Sequence, residues 1–250
     1  MPKVKEIYQI CDEISPFVLQ EKWDNSGLNL GSMEQEFESL YLALEVDETI
    51  AQNLNPNSLI ITHHPLIFSP IKSFDTQTYP CNILSTLIAK NCSLLAMHTN
   101  FDSTHLNAYF AKDILGFSPL ESHLYALKYQ GEITFDLLAQ RIEERMQLKD
   151  YKFLQASQTL KELYFCCGSG ASLISSLPAH NHACLITGDI KHHDAMLANS
   201  LGISLIDVGH YESEKYFVKI LHKNLKNFGY EAIISPLKNP LEFSKPKERR

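Results

Sequence analysis

Three short apolar segments of this chain each end in histidine, and this pattern constrains the fold more than any other feature. The segments are 59–62 before His63, His64 and Pro65, 93–97 before His98, and 204–208 before Gly209 and His210. A short apolar run bounded by polar residues is typical of a β-strand buried on both faces of a sheet. The sequence therefore predicts three buried strands that carry imidazoles to the edge of a sheet.

Strand and helix patterns alternate along most of the chain, which predicts an α/β fold. In the first half, apolar segments near 40–46, 59–62 and 93–97 are separated by helical patterns. The alternation is less clear over about 117–160, apart from a helix that Thr134 would cap and that would extend through Met146. It then resumes, with helices expected at about 192–199 and 213–228. In the first half, a further helix is expected at about 105–115.

A weak internal repeat predicts how this α/β fold is organised. The segment 59–62 resembles 184–187, and the segment 93–98 resembles 204–210. We therefore expect two similar α/β lobes, residues 1–120 and 121–250, with a dinuclear metal site in the cleft between them. The C-terminal helix and strand could pack back on the first lobe.

Carboxylates accompany the histidines at matching positions. Asp102 follows His98 by four residues, and Glu214 follows His210 by four residues. On a helix this spacing puts both side chains on one face, and the two oxygens of a carboxylate can bridge two ions. Imidazoles and carboxylates suit a hydrolytic centre whose two ions lie about 3.5–4 Å apart and activate water. We predict two divalent ions (zinc, iron, manganese or nickel) with the ligands His63, His64, Asp102, His210 and Glu214.

These residues also have plainer interpretations. A single histidine at a strand end is more often a polar surface residue than a ligand. On a continuing strand, His63 and His64 would point to opposite faces, unless Pro65 ends the strand. His98 remains open among a metal ligand, an orienting partner and a proton carrier, and we name it as the candidate catalytic residue.

Two further polar segments leave alternatives open. Asp189 and His193 follow another apolar strand, and they would serve substrate contact or proton transfer, or only cap and solvate a helix. The segment 23–25, Trp-Asp-Asn, is interpreted as structural, with Trp23 packing and the next two residues shaping a turn. A role for it in lining a cleft is the less favoured alternative.

Charge and cysteine content exclude several classes of protein. The net charge of −7 argues against a general nucleic-acid or anionic-membrane surface, and no apolar run is long enough to span a bilayer. The first residues lack a signal-peptide core, and the six cysteines show no C-x-x-C spacing. We therefore expect a cytoplasmic protein with reduced thiols, and we interpret the basic segment 245–250 as a frayed terminus rather than a binding arm.

The motifs in their order resemble the GTP cyclohydrolase 1 type 2 homolog family, also called NIF-three-like. The resemblance covers nearly the whole chain. It is carried by Trp23-Asp24-Asn25-x-Gly27-Leu28, Thr62-His63-His64-Pro65-Leu66-x-Phe68, His98-Thr99-Asn100-x-Asp102, Cys167-Gly168-Ser169-Gly170, Thr187-Gly188-Asp189-x-Lys191-x-His193-Asp194 and Gly209-His210-Tyr211-x-x-Glu214. No single motif is specific, but their succession is.

The resemblance implies a two-lobed fold, a pair of divalent metals between the lobes and a ring-like homohexamer. The metal ligands of the family correspond to the same five residues that the strand ends predict. Longer family members carry an inserted domain, and this chain resembles the short form without one. Glu45 interrupts the small apolar residues that the family usually has in its first strand.

Two functions from different classes follow. The first is a metal-dependent hydrolase that acts on a small molecule, nominally GTP, with Glu214 bridging the ions and His98 carrying a proton. The second is a non-catalytic metal-binding scaffold or metallochaperone that acts through protein partners. The sequence offers no recognisable purine-reading or triphosphate-binding motif, so the substrate rests on the family name alone.

Overall fold

The computed structural model describes residues 1–242, so the predicted basic tail at 245–250 lies outside the described residues. They form two compact units, each with its own sheet. The first unit comprises Met1–Ala108 and Glu214–Pro236, and the second comprises Tyr109–Ser213 with the described residues from Leu237 onward. The predicted α/β class is confirmed, because helices connect successive strands within each sheet. The division of the chain into two similar lobes, residues 1–120 and 121–250, stays a prediction.

The first stretch of the chain builds most of the first unit. Its elements are α1 (Val4–Ile14), a 3-10 turn (Phe17–Leu19), β1 (Gly27–Leu30), β2 (Ser39–Ala43), α2 (Glu48–Asn53), β3 (Ser58–Thr62), α3 (Cys81–Ala89), β4 (Ser93–Ala96), α4 (Thr99–Phe101) and a π-helical turn (Asp102–Leu106). The carboxylate of Asp47 accepts a hydrogen bond from the Ile50 amide at 2.7 Å and so caps α2.

The second unit follows, and the chain then returns to the first. The elements of the second unit are a π-helical turn (Tyr109–Ile114), β5 (Glu121–His123), β6 (Ala126–Thr134), α5 (Phe135–Met146), β7 (Lys152–Leu154), β8 (Thr159–Phe165), a 3-10 turn (Ala171–Ser176), β9 (Ala183–Thr187), α6 (His192–Leu201) and β10 (Ser204–Asp207). The chain leaves the second unit at the end of α7 (His210–Glu214), and the elements that belong to the first unit again are α8 (Phe217–Asn227) and β11 (Ile233–Ile234). No helix within residues 1–242 is long and apolar enough to cross a membrane.

The sheet of the first unit explains why its strands are apolar throughout. Its order is β1-β4-β3-β2-β11, with β1 antiparallel to β4 and the other neighbours parallel. All residues of β3 and β4 are buried, as expected for parallel strands covered on both faces. Thr62 of β3 lies opposite Ala96 of β4. The residues that follow these two strands therefore leave the sheet at the same edge.

The sheet of the second unit repeats this arrangement at its centre. Its order is β5-β6-β8-β9-β10-β7, and β8, β9 and β10 run parallel. Thr187 lies opposite Asp207, so β9 and β10 also end at one edge. The edge strand β7 was not predicted, because it has only three residues and they are largely exposed. Such a strand has neither the length nor the alternation that makes a strand recognisable.

Three predicted helices test how well periodicity locates helical ends. The helix capped by Thr134 is confirmed, with the Thr134 hydroxyl accepting from the Leu137 amide at 3.3 Å. The chain is helical where a helix is expected at 105–115, but Asp102–Leu106 and Tyr109–Ile114 form the wider π-helical turn, a rare form that the apolar spacing does not indicate. The helix expected from Ser213 to Phe228 begins earlier, at His210, and is interrupted after Glu214.

Candidate metal centre

Two adjacent histidines turn the same way because β3 has ended. The amides of His63 and His64 both donate to the carbonyl of Leu44, at 3.1 Å and 2.9 Å. Two consecutive amides that share one carbonyl are not continuing a strand, so side-chain alternation is lost. The two imidazole rings lie side by side with centroids 5.1 Å apart. The structure thus removes the objection that neighbours on a strand point apart.

A buried cluster of nitrogen and oxygen atoms surrounds the His63 ring. His63 Nε2 lies 3.4 Å from Asp102 Oδ1 and 3.6 Å from Glu214 Oε1. Among residues 1–242, neither His63 Nε2 nor Asp102 Oδ1 has a hydrogen-bond partner, although both atoms are buried. Buried polar atoms without a partner are costly and call for an explanation. The three side chains form a group that could hold a metal ion.

The spacing of these atoms fits coordination better than hydrogen bonding. N–H···O bonds have heavy-atom distances of about 2.7–3.2 Å. Two ligand atoms about 2.0–2.1 Å from a tetrahedral zinc ion lie roughly 3.3–3.4 Å from one another. The separation of 3.4 Å equals this ligand–ligand distance and that of 3.6 Å is slightly longer, so both exceed the usual hydrogen-bond distance. Imidazole and carboxylate are suitable ligands. The residues present therefore fit a divalent ion.

Each of the adjacent histidines has its outer nitrogen fixed. His63 Nδ1 lies 2.9 Å from the Met97 carbonyl, and His64 Nδ1 lies 2.9 Å from Glu45 Oε2. Both partners are acceptors, so both rings carry the proton on Nδ1 and direct Nε2 inward. This is the usual support for a metal-ligating histidine, since the outer hydrogen bond sets the tautomer and orients the ring. His64 Nε2 lies 2.9 Å from Glu214 Oε2.

Negative charge in this cluster raises the pKa of both imidazoles. Burial lowers the pKa of His63, but the negative charges of Asp102 and Glu214 outweigh it and hold that pKa well above its usual range. Burial also lowers the pKa of His64, and contacts with Glu214 and Glu45 again reverse the shift. The carboxylates therefore provide a strongly cation-attracting environment. A proton on the imidazole and a metal ion would compete for it.

His98 stands beside this cluster in a pairing of its own. Its Nδ1 lies 2.8 Å from Asp24 Oδ1, and its ring centroid lies 5.1 Å from that of His63. The carboxylate acceptor places the proton on Nδ1 and leaves Nε2 able to accept one. Burial raises the pKa of Asp24, but hydrogen bonds and charge from His98 and hydrogen bonds from Thr99 hold it far below its usual range. His98 can also join His63 and His64 in a metal-holding group.

In the second unit, the structure pairs His210 with Asp189. His210 Nδ1 lies 2.7 Å from Asp189 Oδ2, the same orienting contact that His64 receives from Glu45. Gly188 permits this turn, because a Cβ there would lie 2.6 Å from the His210 amide nitrogen. Asp189 does not cap α6, whose capping carboxylate is that of Asp194. His193 lies exposed on the first turn of α6.

Comparison with known proteins shows which family this chain belongs to. Residues 2–240 match the family model described as Duf34/NIF3 (NGG1p interacting factor 3). The chain belongs to the DUF34/NIF3 family. It is 50% identical, over 97% of its length and all of the relative's, to a Helicobacter pylori protein named GTP cyclohydrolase 1 type 2. A Campylobacter jejuni protein named GTP cyclohydrolase 1 type 2 homolog is 42% identical over 96% of this chain and 99% of its own length.

Solved structures confirm the fold of this DUF34/NIF3 chain. The crystal structure of Staphylococcus aureus protein SA1388 superposes with a TM-score of 0.81 at 22% identity, covering 97% of this chain and 99% of that one. Reduced HcgD from Methanocaldococcus jannaschii gives 0.80 at 21% identity, covering 93% and 97%. Identity this low supports the shared fold and nothing finer. The family predicted from the motifs is confirmed.

Sequence reasoning missed two carboxylates at this centre. The sequence predicts Asp24 as a turn residue and Glu45 as an irregularity at the end of a strand, whereas each binds the outer nitrogen of a histidine. A signal for Glu45 is its departure from the small apolar residues that the family usually has in this strand. For Asp24 the only signal was its place in a family motif.

Proposed function

We propose that this chain is a divalent-metal-dependent hydrolase, and that His63, Asp102 and Glu214 hold one of its ions. A single observation carries the proposal: His63 Nε2 and Asp102 Oδ1 are buried at coordination spacing, and the described residues provide neither with a hydrogen bond. A divalent ion supplies what those atoms lack. Such an ion lowers the pKa of water and polarises an electrophile for hydrolysis.

Glu214 is suited to serve two ions. Its Oε1 faces His63 Nε2, whereas its Oε2 faces His64 Nε2. The bridging role that the sequence predicts rests on this placement of the two oxygens: the 3.6 Å contact with His63 is longer than a hydrogen bond, and the 2.9 Å contact with His64 is a hydrogen bond that a second ion would replace. We include a second ion in this proposal, which His64 and His210 would hold together with Glu214. Asp189 would orient His210 in the way that Glu45 orients His64.

His98 is the group placed to move a proton. Its Nδ1 is held by Asp24, so its Nε2 is the nitrogen that can accept a proton and later return it. The paired carboxylate stabilises the imidazolium formed in between, as in other carboxylate–histidine pairs. The ring packs against both metal-binding imidazoles, with centroids 5.1 Å and 5.6 Å away. A proton accepted there would stay close to the reacting centre.

The substrate and assembly extend the proposal beyond the site. The relatives are named GTP cyclohydrolase 1 type 2, and we propose GTP or a similar small molecule as the substrate. We also propose the homohexamer that the family resemblance implies and the cytoplasmic location that the cysteine usage and the N-terminal sequence predict. Sedimentation velocity on the purified protein would measure the assembly. A monomer or dimer across the working concentration range would contradict the hexamer without affecting the metal site.

Elemental analysis of protein purified without chelators, paired with turnover assays on GTP and a panel of phosphate esters, tests this function. We expect about two divalent ions per chain and metal-dependent turnover. Two ions without turnover on any substrate would favour the metal-binding scaffold or metallochaperone. Little metal, even after reloading, would refute the hydrolase and the scaffold together.

The carboxylate of Glu45 provides a finer test of the centre. Glu45→Gln keeps the side chain's shape but weakens its contact with His64 Nδ1, and we expect metal affinity to fall roughly 10- to 100-fold. Competition with a fluorescent chelator measures the loss. Glu48→Gln, three residues further along the same connection, is the matched control and should bind metal normally. Equal affinities for the two variants would show that Glu45 does not support the site.

A further inference from the structure

Two large aromatic side chains lie exposed beside His98. Trp23 is 58% exposed and Phe68 is 52% exposed. Their ring centroids are 5.8 Å apart, and they lie 6.1 Å and 6.2 Å respectively from the centroid of His98. Both meet the imidazole nearly edge-on, at 77°. We call this pair the aromatic platform.

The backbone under the aromatic platform is firmly held, although the rings are not covered. Asn25 Nδ2 donates to the Ile67 carbonyl at 2.6 Å, and the Ile67 amide donates to Asn29 Oδ1 at 3.3 Å. Asp24, next to Trp23, is fixed by Ser26, His98 and Thr99. The exposure of the rings therefore does not result from a loose segment. Aromatic surface held open to solvent at a fixed place is typical of a binding surface.

We propose that the aromatic platform binds the flat heteroaromatic ring of the substrate by stacking and so positions it beside His98. This inference rests on the proposed function, because the ring would be held next to the metal cluster of that site. The chemistry of the pair favours an aromatic ring over a phosphate. Trp and Phe offer π-faces and apolar area but, apart from the indole N–H, no hydrogen-bond donor for an anion.

The geometry makes this assignment more specific than a general apolar patch. Stacking on exposed aromatic rings accepts any base, because every base has a π-face. The platform would therefore select for planarity, and it explains why the sequence shows no purine-reading motif although the relatives are named for GTP. Trp23 and Phe68 would be specificity-determining residues, whereas His98 would act on the ring that they hold.

The chain provides its own reporter, since Trp23 is its single tryptophan. Metal-free protein, excited at the red edge of tryptophan absorption, would be titrated with guanosine, with ribose 5-phosphate and with inorganic tripolyphosphate. We expect saturable quenching with guanosine and none with the other two probes. Removing the metal separates ring binding from turnover. A failure of the hydrolase proposal would therefore leave this titration interpretable.

A matched pair of variants locates the binding. Phe68→Ala should weaken guanosine binding about tenfold, as expected for the loss of one base–aromatic stack. Phe74→Ala, on the same connection and 50% exposed, should bind guanosine like the parent protein. Elemental analysis should give the same metal content in both variants and the parent.

Three results would overturn the inference. One is the absence of quenching by guanosine in metal-free protein that takes up metal normally when reloaded. That result would leave the metal site intact and show that the aromatic platform does not bind the ring. Another is an equal weakening by Phe68→Ala and Phe74→Ala. The third is a change in sedimentation with Phe68→Ala and no change in guanosine affinity, which would assign the rings to an interface between copies of this chain.

Discussion

Glu214→Gln is expected to remove most of the bound metal while the chain stays folded. The carboxylate is almost fully buried, and its two oxygens face His63 and His64. Replacing one oxygen by an amide removes the charge that both sides of the cluster share, so the loss should exceed the roughly 10- to 100-fold seen when only an orienting partner is changed. Elemental analysis gives the metal content, and circular dichroism gives the fold.

An exposed glutamate provides the control for this change. Glu34→Gln also neutralises a carboxylate, but at a surface pair with Lys3 and Lys5, where ion pairs contribute little. It should retain the full metal content. Normal metal in Glu214→Gln would eliminate the bridging role. A variant that loses metal and also unfolds would show that Glu214 supports the structure through its burial rather than through an ion.

The sequence located this cluster because strand ends are local features. An apolar run that stops at His63, or at Met97 before His98, is visible without knowledge of the fold, and parallel pairing then aligns the two ends, with Thr62 opposite Ala96. The only further assumption was that β3 and β4 are neighbours. The alternation of strands and helices is evidence for that arrangement, since parallel neighbours need a crossover between them.

The orienting carboxylates could not be found in the same way. Asp24 and His98 are 74 residues apart, and Glu45 and His64 are 19 apart, so no helical or strand period connects either pair. A contact of this kind depends on where two loops meet in space. The same limit applies to the aromatic platform, because Trp23 in a turn looks like a packing residue until its exposure is known.

The internal repeat shows what a weak pattern can establish. The segments that resemble each other became β3 with β4 and β9 with β10, and in both units the two strands are parallel neighbours. The histidines that follow the second strand of each pair, His98 and His210, both have Nδ1 held by a carboxylate. For His98 that carboxylate is Asp24, 74 residues earlier in the chain, whereas for His210 it is Asp189, at a left-handed position shortly after β9. Similar strands thus fix where a histidine emerges but not which partner orients it.

Asp24→Asn is expected to destabilise the metal-free protein by about 2–3 kcal/mol at neutral pH. The Asp24 side chain is fully buried. It accepts from the Asn25 amide and His98 on one oxygen, and from Ser26 and Thr99 on the other. An asparagine amide would turn its own N–H groups toward one set of donors. Urea unfolding of metal-free protein measures the loss without the added stability of a bound ion.

The pH dependence identifies the charge as the cause. The pKa of Asp24 is lower in the folded protein than its unfolded value of about 4, so the folded state binds fewer protons. The stabilisation by this carboxylate is therefore complete above about pH 4 and is lost progressively as the pH falls toward the lower pKa of the folded protein. As the pH falls below about 4, the difference between parent and Asp24→Asn should shrink by up to about 1.4 kcal/mol per unit. A difference that stays constant with pH would mean that lost packing, not the carboxylate charge, explains the variant.

Asp47→Asn separates this effect from any ordinary loss of a carboxylate. Asp47 also accepts a backbone amide, but it does so as the cap of α2, where asparagine performs as well as aspartate. We expect its free energy of unfolding to change by less than about 0.5 kcal/mol. If the two variants lose equal stability, Asp24 is only a turn residue. If only Asp24→Asn does, the same carboxylate that holds His98 in place also contributes to the stability of the first unit, which links the geometry of the proposed proton carrier to folding.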